Sequence, residues 1–284
     1  MAFFISEVSS NHSSDLDRCI AFIKESSRIN CDAVKFQLFK IDQLFAKEIL
    51  DVSQEHKSRK KWELPNSFLG PIFEECKNHN IQFACTPFYL DAVDELFPFV
   101  DFYKIASYEL LWDDLIIKCA ETKKPLIIST GMATMEEIQH AVQIAKQADV
   151  SKLTLLHCSS AYPTPIACAN LSAIATIRDK TRCSTGWSDH TVSKAVLLRA
   201  IQKWDASVIE FHLDLDKEGA EFSTGHCWLP EDIQEVISLT KESYLADGNP
   251  IKVPNKLELH ERGWRADPID GLRPIKKTRD EFDA

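Results

Sequence analysis

Two histidines in the C-terminal half of the chain are spaced so that both could bind one metal ion. His190 lies in the segment TGWSDHT and His212 in VIEFHLDLD, and the stretch SKAVLLRAIQKW between them repeats apolar residues at helical spacing. This pattern predicts a strand, a helix and a second strand. A right-handed crossover makes those strands parallel, so both imidazoles reach the same end of the sheet, where they could hold a divalent ion. The alternative for each histidine alone is a hydrogen-bonded cap on its strand.

Two lysines inside apolar strand-like runs indicate a pocket for an anion. Lys35 lies in AVKFQ and Lys104 in FYKIAS, and a buried ammonium group is costly unless it has a partner. Ammonium and hydroxyl donors together suit the oxygens of a phosphate or a carboxylate. Hydroxyl side chains follow the neighbouring strand-like runs: Thr86, Ser107, Ser129, Thr130, Ser159, Ser160, Tyr162 and Ser188. The alternative for each lysine is an ion pair with Glu7, Asp32 or Glu109.

The elements that must position these side chains alternate along the chain. Eight strand-like runs are predicted at residues 3–8, 33–38, 81–85, 102–105, 126–129, 153–157, 183–187 and 208–212. Helical patterns are predicted at residues 16–28, 65–78, 90–97, 112–122, 135–147, 171–178, 193–204 and 230–245. This alternation predicts an α/β fold of the (β/α)8 TIM-barrel type, whose active sites lie at the C-terminal ends of the strands. A doubly wound sheet is the alternative, but the chain has no G-x-G-x-x-G or Walker loop and only eight glycines.

Composition narrows the class of protein. The chain has 284 residues, is 44% hydrophobic and carries a net charge of −10, which argues against binding to nucleic acid or to an anionic membrane. Its nine cysteines are scattered without a C-x-x-C pair, as expected for reduced thiols in the cytoplasm. The short apolar run near the N-terminus has no basic segment before it and is predicted to be a strand, not a signal peptide.

Two further segments fall outside the repeating pattern. Residues 40–64 are polar and charged, and we expect a surface excursion or a lid after the second strand. We expect residues 1–248 to form the catalytic barrel and residues 249–284 to form a basic C-terminal tail that packs on or near it.

Eight short motifs occur in the order found in the sialic acid synthase family: EVSSNH, DAVKFQ, CTPF, FYKIAS, ISTGM, HCSSAYPTP, GWSDHT and VIEFH. The chain resembles that family over residues 3–245. Members condense phosphoenolpyruvate with an amino sugar of the N-acetylmannosamine type, release phosphate by C–O cleavage and form a nine-carbon 3-deoxy-2-keto acid. The resemblance therefore implies a cytoplasmic transferase of nonulosonate biosynthesis, and by analogy a homodimer.

The resemblance also implies roles for individual residues. Those implied to bind the substrates are Lys35, Thr86, Lys104, Ser107, Ser129, Ser160 and Ser188. His190 and His212 are implied to hold Mn²⁺, with Mg²⁺ or Co²⁺ as alternatives. Glu7 matches the family's acid near the reacting carbon, and Tyr162 a residue that contacts both substrates. Glu221 lies in the loop that contacts the sugar.

Several positions depart from the family pattern. Ser9 and Ser14 replace two glycines, and Ser160 replaces an asparagine of the anion pocket. Phe211 replaces a basic residue before the second metal-binding histidine. Residues 219–222 read GAEF instead of G-P-D-H, after a loop two residues shorter. These changes leave the acceptor sugar open.

In the family, a C-terminal antifreeze-like (SAF) domain supplies an arginine for the sugar's N-acetyl group across a dimer, and we expect this chain to lack that domain. Arg262, Arg265 and Arg273 of the tail are candidates to replace that arginine, and the alternative is a solvated tail. Two other functions compete with a synthase. One is a lyase that forms a Schiff base through Lys35 or Lys104, and the other is a barrel that binds ligand without turnover.

Overall fold

In the computed structural model of the protein, which describes residues 2–282, eight parallel strands close into a barrel. The strands are β1 Phe3–Glu7, β2 Ala33–Leu38, β3 Gln82–Pro87, β4 Phe102–Ile105, β5 Leu126–Ser129, β6 Leu153–Cys158, β7 Ser184–Asp189 and β8 Val208–Leu213. Each strand pairs with the next, and β1 also pairs with β8, which closes the sheet. The predicted (β/α)8 barrel is confirmed.

Helices follow the strands as the apolar periodicity predicts. They are α1 Leu16–Arg28, α2 Ile41–Leu44, α3 Lys47–Val52, α4 Gln54–Ser58, α5 Leu69–Asn78, α6 Leu90–Leu96, α7 Asp113–Glu121, α8 Met135–Gln147, α9 Ala173–Thr181, α10 Lys194–Trp204, α11 Pro230–Asp247 and α12 Lys276–Asp280. Asp15 caps α1 by accepting a hydrogen bond from the Arg18 amide, and Thr134 with Glu137 forms a capping box on α8. Helix α5 begins four residues later than predicted because Asn66–Phe68 first form a 3-10 turn.

The segment at residues 40–64, predicted as a surface excursion or a lid, contains α2, α3 and α4 and the 3-10 helix Arg59–Trp62. These elements are too short for the hydrophobic periodicity of an amphipathic helix to reveal them. The segment therefore has local structure that the sequence reasoning missed.

Apolar side chains fill the barrel unevenly. A large cluster lies between the strands and the surrounding helices, and a smaller one inside the barrel is formed by residues such as Ile5, Phe102 and Leu156. At the C-terminal ends of the strands, the buried side chains are instead polar or charged, among them Glu7, Lys35 and Lys104. This end of the barrel is the one that could carry out chemistry.

A short ninth strand, β9 Cys227–Trp228, adds to β8 in parallel. Asp189, the last residue of β7, is fully buried and accepts hydrogen bonds from the indole nitrogens of Trp187 and Trp228, each at 2.9 Å. It also accepts from the Thr191 hydroxyl at 2.7 Å and from the Val192 amide at 3.1 Å. One carboxylate thus links β7, β9 and the turn that carries His190.

The chain divides into two compact units that part between Tyr244 and Leu245. Within the second unit, the 3-10 helix Lys256–Trp264 begins with a capping box formed by Asn255 and Glu258, and Arg279 pairs with Asp270 at 2.6 Å. Residues 249–284 carry eight Lys and Arg against seven Asp and Glu, so the segment is nearly neutral and its description as basic is wrong. Its packing on the barrel and the boundary at residue 248 stay predictions.

Arg262 and Arg265 line a groove within the second unit. A role in sugar binding for these two residues, and for Arg273, stays a prediction. Within residues 2–282, no helix combines the length and the apolar character needed to cross a membrane.

Replacing Asp189 by alanine is expected to lower the free energy of unfolding by at least about 3 kcal/mol, because several buried donors lose their acceptor. Thr191→Val removes a single donor to the same carboxylate and should cost about 1 kcal/mol. Urea denaturation of both variants beside the native protein measures the difference. Equal losses in the two variants would contradict the linking role of Asp189.

Candidate active site

The register of the barrel places two neighbouring rows of titratable and hydroxyl side chains near the C-terminal ends of the strands. Glu7 on β1 is aligned with Lys35 on β2 and with His212 on β8. On the next pair of strands, Ser188 of β7 is aligned with Glu210 of β8. Because aligned residues of parallel strands point to the same face, these five side chains converge inside the barrel.

A cavity of about 410 Å³ opens at this end. It is lined by ten of the twelve residues that the sequence predicts for the site: Glu7, Lys35, Lys104, Ser107, Ser129, Tyr162, Ser188, His190, His212 and Glu221. The other two, Thr86 and Ser160, do not line it. Thr86 is fully buried and accepts a hydrogen bond from Lys35 Nζ at 3.1 Å, so its contact with the cavity runs through that lysine.

A larger cavity of about 520 Å³ lies at the opposite end of the barrel and is lined by the beginnings of strands, including Phe3, Phe102 and Val208. Asp101 and Lys152 are its titratable lining residues, and Asp101 already accepts a hydrogen bond from the Phe83 amide. The converging titratable groups therefore favour the C-terminal cavity as the active site.

Four buried charged side chains form the floor of the C-terminal cavity. Lys35 forms an ion pair with Glu7 and lies 3.9 Å from Glu210 Oε1. Lys104 Nζ lies 3.8 Å from the same Glu210 oxygen, and Ser188 Oγ is 3.4 Å from it. We call Glu7, Lys35, Lys104 and Glu210 the charged quartet. The ion pair predicted as the alternative for each lysine is present at Lys35, whose partner is Glu7. Lys104 instead pairs with Glu210, an acid that the sequence analysis did not name.

Burial and pairing move the pKa values of the quartet in different directions. Burial lowers the pKa of Lys104, and Glu210 offsets only part of this effect. Burial also acts against the charged form of Lys35, but Glu210 and Glu7 outweigh it and raise the pKa of that lysine. The two lysines likewise outweigh burial at Glu210 and lower its pKa. Of the two lysines, Lys104 therefore gains more from a bound anionic ligand, which would stabilise its ammonium form.

A cradle of small side chains lies beside Lys104. The Gly131 amide donates to Ser107 Oγ at 3.0 Å, and Ser107 Oγ lies 3.1 Å from Cys158 Sγ. A Cβ atom at Gly131 would come within 2.3 Å of Ser160 Oγ, so glycine is required there. The hydroxyl oxygens of Ser129 and Ser160 are buried without a hydrogen-bond partner. Unpaired buried hydroxyls are costly and suggest a ligand that pairs with them.

Three imidazole rings and one phenol ring meet on the other side of the cavity. The centroids of His190 and His212 are 5.4 Å apart, and that of His226 is 4.6 Å from His212 and 6.1 Å from His190. The Tyr162 ring lies 4.2 Å from His190 and 5.0 Å from His226. The structure thus brings the two predicted histidines together and adds a third.

Glu221 lies between two of these rings. Its Oε2 accepts from His212 Nδ1 at 3.0 Å and is 3.4 Å from His226 Nε2. Its Oε1 accepts from Ser9 Oγ at 2.5 Å, and its amide donates to Asn11 Oδ1 at 2.8 Å. The sequence assigned Glu221 to the sugar loop, and the structure adds that its carboxylate contacts histidines.

The charges of these groups follow from their contacts. Burial, and next the neighbouring His212, lowers the pKa of His190 to about 3, so this ring is neutral near pH 7. Burial opposes the charged form of His212, but the hydrogen bond to Glu221 and its charge outweigh it and raise the pKa of His212. The same pairing overcomes burial at Glu221 and lowers the pKa of that carboxyl.

Several residues of the cavity were missed by the sequence reasoning. Glu210 lies two residues before His212 in VIEFH, so its position on the same face of the strand was a usable indication. His226 follows an irregular loop, and nothing in its local pattern marks it. Arg59 and Trp62, from the segment at residues 40–64, also line the cavity.

Comparison with known proteins identifies the family to which the chain belongs. A sequence profile of the NeuB family matches residues 22–252. The chain belongs to the NeuB family. It is 32% identical over 280 residues to a pseudaminic acid synthase of Campylobacter jejuni, covering 93% of this chain and 78% of that protein. An N,N'-diacetyllegionaminic acid synthase of the same species is 30% identical over 267 residues, with 89% and 80% covered.

A solved structure supports the same assignment. The N-acetylneuraminic acid (sialic acid) synthetase of Leptospira borgpetersenii superposes with a TM-score of 0.81 at 28% identity, covering 92% of this chain and 90% of that one. The resemblance to the sialic acid synthase family is confirmed, and so is the prediction that the chain is an enzyme. The charged quartet lies at the C-terminal end of the barrel of this NeuB-family chain.

Glu109 should make the stability of this synthase depend on pH. Burial raises the pKa of Glu109 from its ordinary value of 4.5 to about 7, against the opposing charge of Lys104, and its Oε2 has no hydrogen-bond partner. The folded state therefore keeps a proton that the unfolded chain releases, so this stabilising contribution is complete below the ordinary value and is lost as pH rises toward 7.

Between about pH 5 and about pH 8, the free energy of unfolding of the native protein should fall relative to that of Glu109→Gln by about 2 kcal/mol, since the glutamine stays neutral. Chemical denaturation at a series of pH values measures both proteins. If their stabilities change in parallel, Glu109 does not have a raised pKa.

Proposed function

We propose that this NeuB-family enzyme condenses phosphoenolpyruvate with an amino sugar of the N-acetylmannosamine type to give a nonulosonate and phosphate. The observation that carries the proposal is the cradle beside Lys104, in which the buried hydroxyl of Ser129, a residue that lines the cavity, has no partner. An anionic ligand would satisfy this donor. Relatives named for pseudaminic acid and N,N'-diacetyllegionaminic acid support a nonulosonate product.

In this proposal the phosphate and carboxylate of phosphoenolpyruvate bind at the quartet and the cradle. Lys104 and Lys35 supply charge, while Ser107, Ser129 and Ser188 donate hydrogen bonds to oxygens. The two acids of the quartet balance the two lysines, so the pocket is not strongly cationic before the substrate arrives. Binding is therefore selective for a ligand whose oxygens meet the fixed donors and not merely for negative charge.

The reaction joins C3 of enolpyruvate to the aldehyde carbon of the open-chain sugar. Electrons of the C2–C3 double bond form the new C–C bond, and the aldehyde oxygen takes up a proton to become a hydroxyl. Water then adds at C2 and loses a proton. The resulting tetrahedral carbon expels phosphate by C–O cleavage and becomes the 2-keto group. Glu7, aligned with Lys35 and His212, is the acid that holds or moves a proton at the reacting carbons.

His190 and His212 fit a divalent metal ion. Ser159 O accepts a hydrogen bond from His190 Nδ1 at 2.8 Å, and Glu221 accepts from His212 Nδ1, so the Nε2 atom of each ring keeps its lone pair. We infer that they hold Mn²⁺, with Mg²⁺ and Co²⁺ as the alternatives. The ion would supply Lewis-acid polarisation of the aldehyde oxygen. Tyr162, whose ring lies 4.2 Å from that of His190, would lie against both substrates.

The function is tested by phosphate release from phosphoenolpyruvate with Mn²⁺, over a panel of N-acetylmannosamine and its 6-deoxy and diacetamido relatives. We expect release with one member of the panel and a loss of at least about 100-fold in His212→Ala. His140→Ala, which changes an exposed histidine paired with Asp113 on α8 and α7, is the control and should retain full activity.

Two results would contradict the synthase. Covalent trapping of pyruvate by borohydride at Lys35 or Lys104 would favour the Schiff-base lyase. Tight binding of phosphoenolpyruvate without release against any amino sugar would favour a barrel that only binds. The carboxylates beside Lys35 count against a Schiff base at that lysine, because they raise its pKa and a Schiff base needs the free amine.

Arg59 is the candidate in the barrel unit to contact the acceptor sugar. It lines the cavity together with Trp62, and its guanidinium lies 3.1 Å from Glu55. Arg59→Ala should raise the KM for the sugar about 10-fold while leaving the KM for phosphoenolpyruvate unchanged, because one charged hydrogen bond is lost. Steady-state kinetics with each substrate varied in turn measures the two constants. Arg28→Ala, which removes an exposed arginine paired with Glu25 on α1, is the matched control. Equal changes in both constants would contradict a sugar contact.

A further inference from the structure

We propose that Glu221, His226 and Cys227 form a second metal site, suited to Zn²⁺, apart from the ion that His190 and His212 are inferred to hold through Nε2. This site uses neither of those two nitrogen atoms and goes beyond the proposed function. One donor atom each from His212, Glu221, His226 and Cys227 lies within 4.8 Å of the others. His226 and Cys227 are buried, with 4% and 5% of their surface exposed.

The carboxylate of Glu221 has a lone pair left for an ion. Its Oε1 accepts a hydrogen bond from Ser9 Oγ at 2.5 Å, and its Oε2 accepts one from His212 Nδ1 at 3.0 Å, which leaves the second lone pair of Oε2. His226 Nε2 lies 3.4 Å from Oε2. A Zn²⁺ ion about 2.0 Å from this oxygen and about 2.1 Å from this nitrogen would make an angle of about 110° with them, as a tetrahedral site requires. His212 therefore supports Glu221 and is not itself a ligand of this ion.

A hydrogen bond defines which nitrogen of His226 can bind the ion. The Thr224 hydroxyl donates to the carbonyl oxygen of Glu221 at 2.5 Å, so its oxygen is left to accept from His226 Nδ1 at 2.6 Å. Neutral His226 therefore carries its proton on Nδ1 and keeps the lone pair of Nε2, which faces Glu221 Oε2. Two lone pairs that face each other repel unless a cation or a proton lies between them.

Two observations favour the metal ion over the proton. The separation of 3.4 Å between His226 Nε2 and Glu221 Oε2 exceeds the length of about 2.7–2.9 Å that is usual between an imidazolium ion and a carboxylate. Cys227, whose sulfur is a soft metal ligand, completes the group of donor atoms. Cys227 lies on β9, in register with His212 of β8, so the sheet itself brings the thiol beside the other ligands.

Asn11, which is fully buried, holds two of the three ligands. Its Nδ2 donates to Cys227 Sγ at 3.5 Å, and its Oδ1 accepts from the Glu221 amide at 2.8 Å. Hydrogen bonds of this kind orient ligands around a metal. Burial raises the pKa of the Cys227 thiol to about 12, so an ion bound there must displace the thiol proton. The thiolate and the carboxylate then balance the charge of a divalent ion.

The ligand set indicates which ion binds and where a fourth ligand comes from. One nitrogen, one oxygen and one sulfur suit Zn²⁺, whereas Mg²⁺ and Mn²⁺ prefer oxygen ligands. Glu221 and His226 line the cavity of the candidate active site, so the fourth ligand would be water or a substrate oxygen from that cavity. The ion would also fix the carboxylate that orients His212.

The test adds Co²⁺, which substitutes for Zn²⁺ and shows a charge-transfer absorption band when a thiolate binds it, to metal-free protein without either substrate. We expect this band in the native protein and its loss in Cys227→Ser. Cys158→Ser, which changes a thiol that lines the cavity, and Cys168→Ser, which changes an exposed thiol, are the matched controls and should keep the band. His226→Gln should raise the Co²⁺ concentration at which the band appears by at least about 100-fold, the upper end of what losing a supporting hydrogen bond costs.

The proposal is overturned by the absence of the band from the native protein, by its persistence in Cys227→Ser, or by an unchanged Co²⁺ dependence in His226→Gln. The first result would make His226 an imidazolium ion paired with Glu221. If a variant fails to fold, X-ray absorption of the native protein saturated with Zn²⁺ decides, because the site requires a sulfur neighbour at about 2.3 Å. Phosphate release is measured separately, so a missing band with intact release would remove the zinc site and leave the proposed condensation.

Discussion

The charged quartet is the constraint on which the rest of this barrel depends. Glu7, Lys35, Lys104 and Glu210 come from β1, β2, β4 and β8, and each is at least nine-tenths buried. Removing any one would leave an uncompensated charge in the interior, which costs about 3–5 kcal/mol. The strands must therefore keep the register that pairs them, and the same register aligns Glu7 with His212.

The quartet also divides the site into two halves with different chemistry. On the side of Lys104, hydroxyls and a close-packed glycine form a cradle for oxygens. On the side of Glu7, imidazoles and a carboxylate favour a cation. In the proposed reaction the anionic substrate would lie on the side of Lys104 and the aldehyde of the sugar on the side of the imidazoles, with Glu7 near the atoms that react. Charge balance within the quartet keeps both halves compatible in one buried space.

Much of the fold could be predicted from sequence because it depends on local regularities. The helices α1 and α8 have the predicted bounds, since amphipathic spacing and side-chain caps mark their ends. Lys35 and Lys104 were recognisable as site residues because a charge inside an apolar strand needs an explanation. Glu210 satisfies the same criterion, because it is a charge inside the apolar run VIEFH.

Other parts of the site depend on contacts that no local pattern contains. Arg59 reaches the cavity from a segment of helices each six residues or shorter, whose periodicity is too brief to read. His226 follows an irregular loop after β8, and its position is defined by Thr224 and Glu221, not by strand alternation. Predicting such residues requires the three-dimensional course of the loops, which the barrel pattern does not determine.

Ser9, which stands where the family pattern has a glycine, connects a backbone conformation with the side chains of the site. At this position the backbone is left-handed, a conformation that glycine adopts without strain, so a serine is costly unless its side chain compensates. Its hydrogen bond to Glu221 supplies that compensation, and Glu221 in turn contacts both His212 and His226. A substitution that sequence comparison alone would class as a weakened motif is therefore part of the support for the imidazole cluster. The departures at Ser9 and in the loop at residues 219–222 thus alter the cation side of the cavity, whereas Ser160 is a departure on the anion side.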